Sequence, residues 1–487
     1  MRGILYWGFV FGLALACEAQ DIEASMLDRA LDDGPYAAEA QAFYAERGHE
    51  PLWTRPASSD LSAPGHQLVD ALARAGDDGL VPDDYLAPLP ADPTRREAAL
   101  TRAFLTFCEH LMQGRVTPRS VHRDWLTERR RLDAGEALRL AARSGPEASI
   151  WMARPPHLGY ARLRDALARL RAQSQTPWSP IPEGPPLKQG DADSPALGVL
   201  RDRLVALGNL ESRRDGPFDT ELDEAVRRFQ ERFGLEVDGV VGPATRSALN
   251  RTPADWAHLV SLNMERWRWL PADLGTRHVW IDVAGMTTAL VERGREVWTA
   301  RTIVGTTRTP TPGFTSTITH VVLSPYWNIP ESIARAEIRP RIARDPRYLA
   351  RHHMERLPGG ALRQRPGPDN PLGPVKFIFE TPFGVRLHGT SSPSLYEVRV
   401  RTFSHGCIRV EDPLELADRL LPDLDSERIQ AVVAAQNEEW VELQAPLPIY
   451  STYWTAHVDS GGALRFRHDI YGRDRALTRR LGVSPAR

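Results

Sequence analysis

The sequence is short of several things, and each shortage excludes something. Its 487 residues hold only three cysteines, Cys17, Cys108 and Cys407. That number rules out a disulfide scaffold and any zinc site built from cysteine alone. There is no excess of either charge: 61 Lys+Arg stand against 63 Asp+Glu, a formal net charge of -2. A protein that grips nucleic acid through its phosphates needs a basic surplus or stripe, so nucleic acid is excluded as a partner. Lysine is nearly missing: Lys188 and Lys376 are the only two, and we read the arginine bias as codon usage rather than chemistry. The longest uncharged apolar stretch, Ile4 to Ala16, is too short to span a bilayer as a helix.

That stretch follows a basic Met1–Arg2 and precedes acidic, polar sequence, the layout of a secretory signal. Cleavage sites follow Ala16 and Ala19, Ala-Leu-Ala-Cys is a degenerate lipidation site at Cys17, and an uncleaved anchor is the remaining option. Each outcome exports the chain to the periplasm or cell envelope. Peripheral membrane association would come through the signal region or the lipid. Cys108 lies among Phe104, Leu105, Phe107, Leu111 and Met112, the setting of a buried inert thiol. Cys407 sits in a polar Ser-His-Gly-Cys context and is a candidate nucleophile.

The spacing of apolar residues divides the chain. Over 20–173 helical periodicity predominates, and Leu100, Phe104, Phe107 and Leu111 share one face; a helical scaffold domain without a catalytic constellation is expected. Residues 174–195 hold six prolines and no apolar period, which predicts a stiff, exposed linker. Three short helices follow in 196–252, one closed by Gly234 and the last opened by Pro243. A helix over Ala254–Leu270 and β-rich sequence from His278 onward open a catalytic unit, 253–437. Within it, 340–375 lacks any period and reads as a capping loop. Strand-like runs in 438–487 are expected to pack onto that unit. The fold class is multidomain α+β.

A thiol attacks only as thiolate, so Cys407 needs a base, and the base needs an orienting acceptor. His405 is too near in sequence to swing onto the thiol. His388 ends a strand beside a Gly-Thr-Ser-Ser-Pro turn and is the candidate general base, its tautomer fixed by a backbone carbonyl of its loop. Gly406 allows close backbone approach, and the Gly406 and Cys407 N–H groups are candidate oxyanion donors. Arg409 is either a substrate clamp or a structural ion-pair partner. A zinc held by His352, His353, His388 and His405 lacks the usual paired ligand spacing, so no metal is expected.

Two resemblances attach to these residues. FDTELDEAVRRFQERFGLEVDGVVGPATRSALN resembles the peptidoglycan-binding domain of exported wall enzymes. His-Gly-Thr at 388–390 and Ser-His-Gly-Cys-Ile-Arg-Val at 404–410 resemble the signature of the L,D-transpeptidase (YkuD-type) catalytic domain. TRTPTPGF and SPYWNIPESIA resemble the same family, and NMERWRWLP and the tail PIYSTYWTAHVD resemble its long, multidomain subgroup. The resemblance implies Cys407 as nucleophile and His388 as general acid/base. Ser404, His405, Gly406, Gly389 and Arg409 fall on the rest of the motif, and Trp327 and Asn328 on positions lining the substrate channel. Where many relatives carry a Tyr that helps the oxyanion hole, this chain has Arg386. The implied reaction is 3→3 cross-linking of peptidoglycan stem peptides through a thioester, without a cofactor and alongside other wall-synthesis proteins. Stem-peptide hydrolysis, attachment of a lipoprotein and a non-catalytic wall-binding scaffold are the alternatives.

Overall fold

A computed structural model describes residues 25–56, 58–174 and 178–483, so the signal and Cys17 assignments lie outside the described residues. The N-terminal core is helical, as its periodicity dictates. Helices Ala37–Glu46, Ala63–Ala73, Pro93–Gln113, Ala134–Ser144 and Pro146–Ala153 bury Leu100, Phe104, Phe107, Cys108 and Leu111 together. The long helix starts cleanly because Asp92 accepts the Arg95 N–H and Pro93 takes its first position. Burial pushes the Cys108 thiol far up, which fits an inert core residue.

The last helix of the expected scaffold region joins a different core. Helix Leu158–Gln173 buries Tyr160, Leu163, Leu167 and Leu170 in a second core, shared with the three short helices Pro195–Ala206, Thr220–Arg232 and Pro243–Leu249 and with Pro253–Arg268. The proline-rich stretch is mostly exposed, but it is not free of the neighbouring helices. From Trp178 onward the segment is pinned: Ile181 and Leu187 are buried, Leu187 bridges to Val241, and Trp178 Nε1 donates to the Arg251 carbonyl. Arg203 and Arg246 donate to the Ser179 and Pro185 carbonyls. Proline-rich chain has few backbone donors of its own, and side-chain guanidinium groups from the helices satisfy its carbonyls instead.

The catalytic unit is a closed ring of strands. We number them β1 (Trp125–Leu126), β2 (Arg277–Asp282), β3 (Thr287–Glu292), β4 (Arg295–Gly305), β5 (Gly313–Leu323), β6 (Trp327–Asn328), β7 (Met354–Arg356), β8 (Leu362–Gln364), β9 (Val375–Ile378), β10 (Leu387–His388), β11 (Thr402–Ser404), β12 (Ile408–Val410), β13 (Glu439–Thr452), β14 (Ala456–Val458) and β15 (Leu464–Phe466). The order β5-β13-β2-β3-β4-β12-β10-β9 returns to β5, with β1 added on β5 and β11 on β4. Alternation aims Val321, Leu323, Val375, Phe377, Leu387, Ile408 and Val410 into one core. The neighbouring His388, Lys376 and Arg409 therefore face outward.

Two expectations for this unit are revised. The C-terminal run is not an addition to the catalytic unit: β13 is a central strand, antiparallel to β5 and parallel to β2. Its continuation, the β14–β15 hairpin, buries Ala456, Leu464 and Phe466 in the core of the three short helices. The capping loop is not irregular either. β6, β8 and β7 form a small sheet that packs with short helices around Ile329, Ala334, Ile338, Tyr348 and Leu362. Its core is too small to produce a readable apolar period. The cap leaves the ring at Ser324 and returns at Pro374, and the Ser324 N–H donates to the Pro374 carbonyl at 2.7 Å.

The N-terminal helices are locked to the ring. β1 pairs with β5, Trp125 is fully buried there, and a Cβ on Gly313 would lie 2.5 Å from its indole.

Candidate active site

β10 and β12 run parallel, with Leu387 opposite Ile408 and His388 opposite Arg409. The one-step shift places Arg386 opposite Cys407. The Arg386 carbonyl accepts the Ile408 N–H at 2.9 Å, and the Arg386 N–H is directed at the Cys407 thiol. The thiol is thus positioned by strand pairing rather than by its own short loop.

His388 is 4 % exposed, and its Nδ1 bonds the Gly389 carbonyl at 2.8 Å. This is the expected backbone acceptor: it fixes Nδ1 as the donor and leaves Nε2 free to accept a proton. The turn that carries Gly389 is tight. A Cβ on Gly373, where φ is +65°, would lie 2.5 Å from the Thr390 nitrogen. Burial, and secondarily the Arg409 guanidinium, hold the imidazole down at about 3, so it is neutral at neutral pH. Burial also raises the Cys407 thiol, opposed by the Arg386 N–H and by the charges of Arg386, Arg409 and Lys376. Among the described residues no hydrogen bond joins the thiol to His388; contacts of this kind commonly tighten only when substrate binds.

The catalytic loop is held from both sides. Ser404 Oγ donates to the Cys407 carbonyl at 2.5 Å and accepts the Gly406 N–H at 3.1 Å. This corrects one expectation: the Gly406 N–H is occupied by Ser404 and is not open to an oxyanion. The Cys407 N–H has no acceptor among the described residues and remains the available donor. Gly406 has φ +107°, so its place in the motif is conformational. The TRTPTPGF segment supports the loop from behind, where Thr311 Oγ1 donates to the Gly406 carbonyl at 3.0 Å and Thr309 Oγ1 to the Ser404 carbonyl at 3.2 Å.

The other expected residues separate. His405 is exposed, away from the base position, and pairs with Glu337 of the cap at 3.1 Å. Arg409 makes no ion pair among the described residues, and its buried Nε has no partner, so the structural ion-pair alternative falls away. Trp327 and Asn328 form the first strand of the cap sheet, opposite Gln364 and Arg363; Trp327 packs on the cap core and Asn328 is exposed. His352 stacks on Tyr348 within the cap. Among the described residues no group of three or more His, Cys, Asp and Glu converges on a point that could hold a metal.

Sequence reasoning missed Lys376, which lies opposite His388 on β9, and Glu337. The rarity of lysine was a signal for the first; nothing in the sequence marked the second.

The site thus sets a buried, carbonyl-anchored imidazole on the strand beside a half-buried cysteine of a closed β-ring. Residues 276–433 match the L,D-transpeptidase catalytic domain (YkuD), 38–167 a scaffold domain and 193–249 a "Putative peptidoglycan binding domain". The chain carries the catalytic domain of the L,D-transpeptidase family behind a scaffold and a peptidoglycan-binding domain. It is 26% identical over 240 residues to a Haemophilus influenzae protein named "Putative L,D-transpeptidase", covering 45% of this chain and 48% of that protein. It is 42% identical over 77 residues to the N-acetylmuramoyl-L-alanine amidase CwlM of Mycobacterium tuberculosis, covering 14% of this chain and 19% of that one. The chain thus spans about half the length of the first relative and about a fifth of the second. Among solved structures, an L,D-transpeptidase from Xylanimonas cellulosilytica is 19% identical with a TM-score of 0.18, over 56% of this chain and 100% of that one.

Proposed function

We propose that the protein is an exported L,D-transpeptidase that makes 3→3 cross-links in peptidoglycan through a Cys407 thioester. The observation that carries this reading is the anchored, neutral His388 on the strand beside Cys407. His388 Nε2 takes the Cys407 proton as the sulfur attacks the carbonyl between the third residue of a stem tetrapeptide and its terminal D-Ala. The oxyanion is received by the Cys407 N–H. The proton passes from Nε2 to the departing amine, D-Ala leaves and the thioester remains. An amine from a second stem then attacks, gives its proton to His388 and releases the thiol. Both groups start neutral, so nucleophile and base are generated together during attack. The peptidoglycan-binding domain holds the enzyme on its polymer and raises the local concentration of stems. The cap, joined to the catalytic loop by Glu337–His405, shields the thioester from water. Export to the envelope, a lipid or signal-derived membrane contact and work beside other wall-synthesis enzymes accompany this reading.

The test is purified protein with stem-tetrapeptide muropeptides, with products resolved by mass. A dimer lacking one D-Ala is expected, lost in Cys407→Ala. Tripeptide alone would point to hydrolysis. No turnover with retained sacculus binding would make the chain a wall-binding scaffold.

A further inference from the structure

The strand register sets out a row of side chains across the outer face of the ring. Arg409 on β12 is opposite His388 on β10, which is opposite Lys376 on β9. Lys376 is opposite Val322 on β5, and Val322 is opposite Trp440 on β13. Directly paired residues project from the same side of a sheet, so the five form one line. Cys407 stands at the Arg409 end, two residues before it and immediately ahead of β12. With strands ~4.8 Å apart, Lys376 is about one strand beyond the base as seen from the thiol.

This row concentrates positive charge without an ion pair among the described residues. Most buried or half-buried arginines of the chain find a carboxylate or a carbonyl. Lys376 and Arg409 make no ion pair among the described residues, and Arg386 bonds only the carbonyl of Val385. Glu438, whose charge acts on Lys376 without pairing with it, accepts the Tyr326 N–H at 2.8 Å. Burial of the lysine disfavours its ammonium, so an anion that arrives there is bound in a partly dehydrated setting, where a charge-assisted hydrogen bond is strong. Lys376 is also one of two lysines in a chain that otherwise uses arginine, and a single flexible point charge can follow a small leaving group.

The order along the row matches the order of atoms in the reaction proposed above. The acyl carbon meets sulfur at Cys407 and the departing nitrogen meets His388. If that nitrogen belongs to a terminal amino acid, its carboxylate is two bonds further on, within one residue length of ~3.8 Å. Lys376 is the group next in line. Beyond it are Val322, fully buried, and Trp440, whose ring centroid is 6.0 Å from the lysine Nζ; neither offers a second cation.

We propose that Lys376 is a specificity-determining residue that receives the free carboxylate of the departing C-terminal residue, so that the enzyme selects donors whose scissile amide is the last one in the stem. The inference rests on the proposed transpeptidase reaction.

The test compares a stem-tetrapeptide muropeptide with the same molecule ending in a carboxamide. Acyl-enzyme formation is followed by intact mass for the native protein, Lys376→Gln and Lys376→Arg. Native protein is expected to prefer the free acid by about tenfold to a hundredfold in kcat/KM, the size of one charged hydrogen bond. Lys376→Gln should lose that preference, mainly through KM on the acid donor, over and above any loss in rate that the two donors share because the lysine charge also acts on the Cys407 thiol. Lys376→Arg should recover part of it. Equal native rates on the two donors, or the same preference in Lys376→Gln as in native protein, overturn the assignment and leave the transpeptidase reading standing. No native acylation by either donor removes both. If Lys376→Gln does not fold, the native preference and Lys376→Arg still decide.

Discussion

Acid should destabilise this protein in a way that His388 can be shown to cause. The ring is 4 % exposed and held neutral at about 3, against about 6.5 for a free histidine. The folded state therefore binds fewer protons than the unfolded chain at every pH between those values. Stability contributed by the neutral ring is fully present above ~6.5 and is lost as pH falls toward 3, at about 1.4 kcal/mol per pH unit. Between pH 7.5 and 5.0 the loss from this one group is about 2 kcal/mol. Buried Asp282 and Asp474 work in the opposite sense, because burial raises their carboxyls and acid relieves them. The total slope is thus a mixture, and the informative quantity is a difference. His388→Gln keeps a donor for the Gly389 carbonyl and removes the titration. Urea unfolding, followed by tryptophan fluorescence at pH 7.5 and 5.0, should show the native protein losing about 2 kcal/mol more than the variant. Parallel losses would refute the claim that the imidazole is buried neutral, and with it a base that is unprotonated at rest.

Ser404→Ala removes both bonds that shape the catalytic loop; acylation of Cys407 by a stem donor should fall about tenfold to a hundredfold in rate, with the thermal midpoint moved by only a few degrees. Gly373→Ala places a Cβ 2.5 Å from the Thr390 nitrogen at φ +65°, and should displace His388 enough to abolish acylation even if a folded protein is recovered by gel filtration. Glu97 is a buried carboxylate that accepts the Leu52, Trp53 and Thr54 N–H groups and the Tyr44 and Thr54 hydroxyls. Glu97→Gln should cost about 3 kcal/mol by denaturant unfolding, because an amide nitrogen then faces donors. Trp125→Ala should cost about 3–5 kcal/mol and loosen the N-terminal helices from the ring, visible as faster limited proteolysis after Gln113.

The local facts were legible in the chain itself. The stripe Leu100, Phe104, Phe107 and Leu111, the helix ended near Gly234 and the inert setting of Cys108 all follow from periodicity and from the few residues that tolerate positive φ. The candidate nucleophile and base stood out in the sequence because a lone cysteine in a polar setting, with histidines nearby, has few other uses.

What stayed hidden depends on residues distant in sequence. The closure of the ring puts β13 between β5 and β2, and Lys376 beside His388, through hydrogen bonds between segments that carry no mark of each other. The anchoring of the proline-rich stretch from Trp178 stayed hidden because its carbonyls are satisfied by arginines elsewhere in the chain. The same holds for Gly406: its N–H reads as a free oxyanion donor until the loop folds and Ser404 claims it. Sequence by itself determined which residues are candidates for the chemistry and where the longer helices and strands run, because those follow from side-chain type and short-range spacing. Only the tertiary structure decided which donors remain open and which cations remain unpaired, because an unpaired group is defined by everything that failed to reach it.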